Sequence, residues 1–136
     1  MSGPGPVGVV LVSHSAAVAA SVAELALGLL GGAPEPPAVR AAGGTADGRL
    51  GTGAELITAA VAAADRGAGV VLLADLGSSV LTVKALAQDG DLPATARLAD
   101  APFLEGAVAA VMAAGTGADL AGVLAAASEA YSYRKT

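Results

Sequence analysis

The chain has 136 residues, enough for one domain with a substantial buried core. Its net charge of −5, its three aromatic residues and the lack of a basic stripe argue against nucleic-acid binding, and no apolar stretch approaches the ~18 residues that cross a bilayer. There is no cysteine, which excludes disulfide and thiol chemistry and fits a cytoplasmic protein, and no basic leader precedes the first apolar run, so no signal peptide is expected.

Residues 1–6, with two prolines and two glycines, read as a flexible lead-in. The run Val7–Val12 predicts a buried strand, and a helical pattern follows from about Ser15 to Leu30, stopped by Gly31-Gly32. Residues 33–37 are too rich in proline for either element and predict a loop. A short second strand, near Ala38–Ala42, meets Gly43-Gly44, and Thr45–Gly51 is a polar loop. Thr52 and Glu55 have the spacing of a capping box, which predicts a helix from Thr52 to about Arg66, ending at Gly67. Gly69–Ala74 is a continuous apolar run of the kind found at sheet centres. It ends in Asp75-Leu76-Gly77-Ser78-Ser79, where a serine is expected to cap a helix reaching about Gln88. After a turn at Asp89-Gly90-Asp91 come a short strand near Thr95–Leu98 and two alanine-rich helices, about Phe103–Ala114 and Asp119–Tyr131. Thr116 and Asp119 again stand at capping-box spacing. This alternation predicts a single-domain α/β fold: an open, mostly parallel four-stranded sheet with helices on both faces.

His14 is the sole histidine, and it stands between Ser13 and Ser15 where the first strand gives way to a helix. If the strands are parallel neighbours, His14, Gly43-Gly44 and Asp75 all reach the carboxyl edge of the sheet, where open α/β folds bind ligands. A histidine with one ring nitrogen free and a carboxylate on the other can act as a nucleophile, and Asp75 is the candidate carboxylate. A phosphoryl group on that ring needs donors. The backbone at Gly43, Gly44 and Gly77 and the hydroxyls of Ser13, Thr45, Thr52 and Ser78 can provide them. Each residue also has a plainer use: Asp75 capping a turn, Gly43-Gly44 making one, Thr52 capping a helix. With one histidine and no cysteine there is no ligand cluster, so no metal or organic cofactor is expected.

Several segments match one family in order and spacing. They are Val12-Ser13-His14-Ser15, Ala42-Gly43-Gly44 with Gly51-Thr52, and Asp75-Leu76-Gly77-Ser78-Ser79. Further on come Ala101-Pro102-Phe103-Leu104-Glu105-Gly106 and Gly117-Ala118-Asp119. Across nearly the whole chain the sequence resembles the phosphotransferase subunit of bacterial dihydroxyacetone kinase. The resemblance implies the fold of a mannose-type enzyme IIA domain, a homodimer, and a histidine phosphorylated by the carrier protein HPr. The phosphoryl group would pass to ADP on the nucleotide-binding kinase subunit, and the ATP formed there would phosphorylate dihydroxyacetone on the dihydroxyacetone-binding subunit. By position His14 would be the carrier and Asp75 its partner, with the loops at Gly43-Gly44 and Gly77-Ser78 around them. Sugar-transporting relatives typically carry a longer Asp-Leu-Phe-Gly-Gly-Ser-Pro signature, so the shorter turn at Asp75 favours the kinase branch. Gly53 and Lys84 stand where the family often has acidic residues. Some relatives extend into further carrier domains, whereas here one domain is expected over residues 1–136. The alternatives are a sugar-transport enzyme IIA, a chelatase-like enzyme (which would want further histidine or acidic ligands) and a regulatory module without chemistry.

Overall fold

The structure, a computed structural model, describes residues 4–136. Its strands are β1 (Gly8–Ser13), β2 (Val39–Gly43), β3 (Val70–Ala74) and β4 (Ala96–Leu98). They form one sheet in the order β2-β1-β3-β4, with every neighbouring pair parallel. The two inner strands are the two apolar runs. All of β1 is buried, as is β3 up to its last residue, whereas β2 and β4 at the edges carry exposed positions.

Alternation along the inner strands divides the core in two. Val9 and Leu11 of β1, with Val71 and Leu73 of β3, pack beneath α1 (Ala16–Leu30), α4 (Phe103–Gly115) and α5 (Leu120–Glu129). Val10, Val12, Val70 and Leu72 point the other way, against Ile57 and Val61 of α2 (Ala54–Ala64) and Val83 and Leu86 of α3 (Gly77–Gln88). Each fully buried valine or leucine contributes about 1.5–3 kcal/mol, so these eight side chains are the foundation of the sheet. Because α1 and α2 leave β1 and β2 toward opposite faces, the order of connection reverses beside β1. That reversal opens a crevice at the carboxyl ends of β1 and β3.

The expected elements are all present, and three caps differ. Thr52 does not cap the second helix: Gly53 holds the N-cap position without a side-chain bond, and Thr52 instead bridges to Gly44. No serine caps the third helix. Leu76 is the N-cap, which places Ser78 and Ser79 within the first turn. The last helix is capped by Asp119, whose carboxylate accepts from Gly122 N–H (2.9 Å), while the Thr116 hydroxyl donates back to the Ala113 carbonyl (3.0 Å). That helix also stops at Glu129 and tightens into a 3₁₀ turn, Ala130–Ser132, ahead of the expected end at Tyr131. Of the expected flexible lead-in, residues 1–3 lie outside the described residues, and Gly5 N–H donates to the Arg66 carbonyl (3.1 Å). No helix among the described residues is long and apolar enough to cross a membrane.

Candidate functional site

His14 occupies the short gap between a buried strand and a capped helix. Ser15 accepts from Val18 N–H (3.2 Å) and so fixes the start of α1. Two neighbouring segments hold the backbone of the gap: Gly44 N–H donates to the Ser13 carbonyl (3.0 Å) and Gly51 N–H to the His14 carbonyl (2.9 Å). Here β2 runs so close to α1 that a Cβ on Gly43 would lie 2.4 Å from the Ser15 carbonyl oxygen and 2.7 Å from Ala16 Cα. Gly44 then turns the chain away with φ +70°, a conformation that side chains disfavour.

Strand register brings Asp75 alongside. Val12 pairs with Ala74, so Asp75, the residue that follows β3, stands level with Ser13. Its carboxylate is surrounded by donors. Oδ2 accepts from the Ser13 hydroxyl (2.9 Å) and from His14 N–H (3.1 Å). Oδ1 accepts from Leu76 N–H (2.7 Å) and lies 3.0 Å from His14 Nδ1. Burial works against the charged carboxylate, but the His14 N–H, the His14 ring and the Ser13 hydroxyl lead the donors that outweigh it and hold the pKa down to about 2. Asp75 is therefore an anion at neutral pH and acts only as an acceptor. In the neutral ring Nδ1 accordingly carries the proton, and Nε2 has the lone pair.

The Nε2 side of the ring faces the start of α3, where it contacts the Ser78 hydroxyl. The backbone N–H groups of Gly77, Ser78 and Ser79 have no hydrogen-bond partner among the described residues. A ring nitrogen thus sits beside the positive end of a helix with free donors, an arrangement that can hold an anionic group against the imidazole. The imidazole is 26% exposed and the Asp75 side chain 16%, so the ring can be reached while its partner is largely covered.

The structure brings together His14, Asp75, Ser13, Gly77 and Ser78 among the residues expected from sequence. Several others hold the frame. Ser13 is buried, and its hydroxyl donates to Asp75 and accepts from Ser15 N–H (3.1 Å), which leaves it no part facing a ligand. Gly43 is a contact point between β2 and α1, and the N–H of Gly44 is occupied by Ser13. Thr45 lies in its own turn: its N–H donates to the Arg49 carbonyl (2.9 Å), and its hydroxyl accepts from Arg49 N–H (3.1 Å) and pairs with Asp47. Thr52 meets Ser79, hydroxyl to hydroxyl, at 2.9 Å. Sequence does not single out Ser79 as a site residue, yet it is fully buried with its Oγ 3.1 Å from His14 Nδ1. The available signal was the doubled serine after Gly77: on a helix, adjacent residues face about 100° apart, so one serine can face outward while the next faces inward. Among the described residues no group of three histidine, cysteine or acidic side chains is placed to hold a metal ion.

An open parallel sheet in this order, with a histidine after its first strand and an aspartate after its third, defines a class that comparison with known proteins identifies. The chain belongs to the EIIA-man family, the fructose IIA components of the phosphotransferase system, whose pattern matches residues 8–124. It is 31% identical over 108 residues to the phosphoryl donor subunit DhaM of phosphoenolpyruvate-dependent dihydroxyacetone kinase 2 from Listeria innocua serovar 6a, covering 78% of this chain and 84% of that one. The crystal structure of a protein of unknown function, EF1359, superposes with a TM-score of 0.76 at 32% identity, over 92% of this chain and 95% of that one.

Proposed function

We propose that this protein is the phosphoryl carrier of a dihydroxyacetone kinase, charged on His14 by phospho-HPr and discharged to ADP on the nucleotide-binding subunit. One observation carries the reading above all. Asp75 holds Nδ1, so the free nitrogen of His14 is Nε2, and Nε2 faces the open N-terminus of α3. Family membership and the likeness to a kinase phosphoryl donor subunit support it.

The Nε2 lone pair attacks phosphorus on the donor's phosphohistidine. A new N–P bond forms as the donor's N–P bond breaks, and the donor ring, protonated on its other nitrogen, departs as neutral imidazole. No proton moves, because Nδ1–H stays on Asp75, whose charge offsets the positive charge gained by the His14 ring. The Ser78 hydroxyl swings off Nε2 and, with the N–H groups of Gly77 and Ser78, donates to the phosphoryl oxygens. Positioning and charge stabilisation are what such a transfer needs. In the second half, a terminal phosphate oxygen of ADP attacks the same phosphorus and Nε2 recovers its lone pair. The reading includes a cytoplasmic homodimer, on the strength of the sequence resemblance.

The description of the family as fructose IIA components favours one second reading, an enzyme IIA of a sugar phosphotransferase system. The acceptor separates the two. Protein charged with phosphoenolpyruvate, enzyme I and HPr is presented with the ADP-loaded kinase subunit, the dihydroxyacetone-binding subunit and dihydroxyacetone. Formation of dihydroxyacetone phosphate is expected. Retention of the phosphoryl group in their presence would refute the kinase assignment.

A further inference from the structure

We infer that Ser79 and Thr52 form a buried hydroxyl relay that selects which ring nitrogen of His14 carries the proton. Nδ1 has two polar neighbours, Asp75 Oδ1 at 3.0 Å and Ser79 Oγ at 3.1 Å. The first is unambiguous: with the Ser13 hydroxyl and the His14 and Leu76 N–H groups all donating to it, Asp75 only accepts. Ser79 can go either way. It can accept from Nδ1–H, or it can donate to a bare Nδ1. In the second case the ring proton sits on Nε2 and blocks the nitrogen that faces α3.

Thr52 decides between the two. Its Oγ1 lies 2.9 Å from Ser79 Oγ, a contact in which either hydroxyl can donate; in the relay Thr52 accepts from Ser79, so that a Ser79 lone pair faces the ring. Ser79 is fully buried, and the hydrogen-bond contacts of its hydroxyl are with Thr52 and the His14 ring. Thr52 is partly exposed, so its own proton can turn to solvent. It is fixed by a backbone bridge to Gly44 at the end of β2. The capping box that Thr52 and Glu55 offer in sequence is left unmade: α2 has no side-chain cap, and the threonine hydroxyl goes to Ser79 instead. A local rule broken without local compensation is the mark of a residue held for function. Thr52 and Ser79 are thus positioning residues, acting on the ring and not on the phosphoryl group.

The relay concerns the ring of the carrier site proposed above, and its kinetic effect rests on that reading. His14 is the single histidine, so the imidazole ¹⁵N spectrum reports it directly. Wild type and Thr52→Ser should show protonated Nδ1 and bare Nε2. Thr52→Val removes the acceptor, and the Nε2–H form should rise severalfold; Thr52→Ala serves where valine is not accommodated. Adding Ser79→Ala should restore the wild-type pattern, because Asp75 alone then sets the tautomer. In phosphoryl transfer, kcat of Thr52→Val should fall about threefold to tenfold, the range one neutral hydrogen bond commands, with KM little changed. A Thr52→Val ring that keeps the wild-type pattern, or a shifted ring that Ser79→Ala leaves shifted, overturns the relay. Failure of wild type to accept phosphoryl at all would instead count against the carrier reading and leave the spectral result to stand by itself.

Discussion

Replacing Asp75 by asparagine keeps the shape of the side chain and removes its charge. The carboxylate serves four donors: the Ser13 hydroxyl, the His14 and Leu76 N–H groups, and Nδ1–H. An amide has one accepting oxygen, and its NH₂ can only donate. With the NH₂ in place of Oδ1 it would face Leu76 N–H and Nδ1, driving the ring proton to Nε2. With the NH₂ in place of Oδ2 it faces the Ser13 hydroxyl, which can turn round, and His14 N–H, which cannot. The second orientation is the better one and leaves one partly covered N–H unpaired, a cost of about 1–2 kcal/mol. Tm should fall by about 5 °C for a domain of this size. The loss of rate comes from the missing charge. A carboxylate oxygen 3.0 Å from the ring is worth about 5–6 kcal/mol at an effective dielectric constant of 20. The imidazole is 26% exposed, and water screening reduces that figure to about 2–3 kcal/mol, or about 10²-fold in rate. Quench-flow measurement of His14 charging by phospho-HPr, with Tm followed by circular dichroism, tests both numbers. Folded Asp75→Asn that charges within about threefold of the wild-type rate would refute the assignment of Asp75 as the partner of Nδ1.

Two further predictions follow from the frame of the site. Gly43→Ala puts a Cβ 2.4 Å from the Ser15 carbonyl oxygen and 2.7 Å from Ala16 Cα, and both obstacles are backbone. The overpacking should cost about 2–3 kcal/mol, lowering Tm by about 10 °C in calorimetry; an unchanged Tm would mean that β2 and α1 are not so closely joined. The Asp75 pKa is lowered from 3.8 to about 2, so its stabilising contribution is complete above 3.8 and is lost as pH falls through about 2. After discounting for solvent screening, the contribution is about 1 kcal/mol. Urea titrations of wild type and Asp75→Asn should therefore converge by that amount on acidification from pH ~5 to pH ~2. A gap that stays constant over this interval contradicts the depressed pKa.

Much of this architecture is legible in the chain itself. The two inner strands are unbroken apolar runs, and the breaks after them carry the residues of the candidate site: Ser-His-Ser after β1 and Asp-Leu-Gly-Ser-Ser after β3. Parallel pairing then places His14 and Asp75 on one edge. The caps differ from the sequence expectation because cap signals are local and the site is not. Thr52, Ser78 and Ser79 each have the chemistry of an N-cap, yet the ring of His14, 64 and 65 positions removed from the two serines, gives two of those hydroxyls a different partner and Thr52 follows Ser79. For the same reason, sequence treats Ser13, Gly43 and Gly44 as ligands. Their polar and steric roles are satisfied inside the protein, which only the register of β1 against its neighbours reveals.

The central claim, a phosphoryl group carried on His14, is tested most directly by intact-protein mass after incubation with phosphoenolpyruvate, enzyme I and HPr. The wild-type protein should gain one phosphoryl group that is lost in acid and retained in alkali, and His14→Ala should gain none. A wild-type mass that does not change, with phospho-HPr present in the same tube, would contradict the account. So would a gain that persists in His14→Ala.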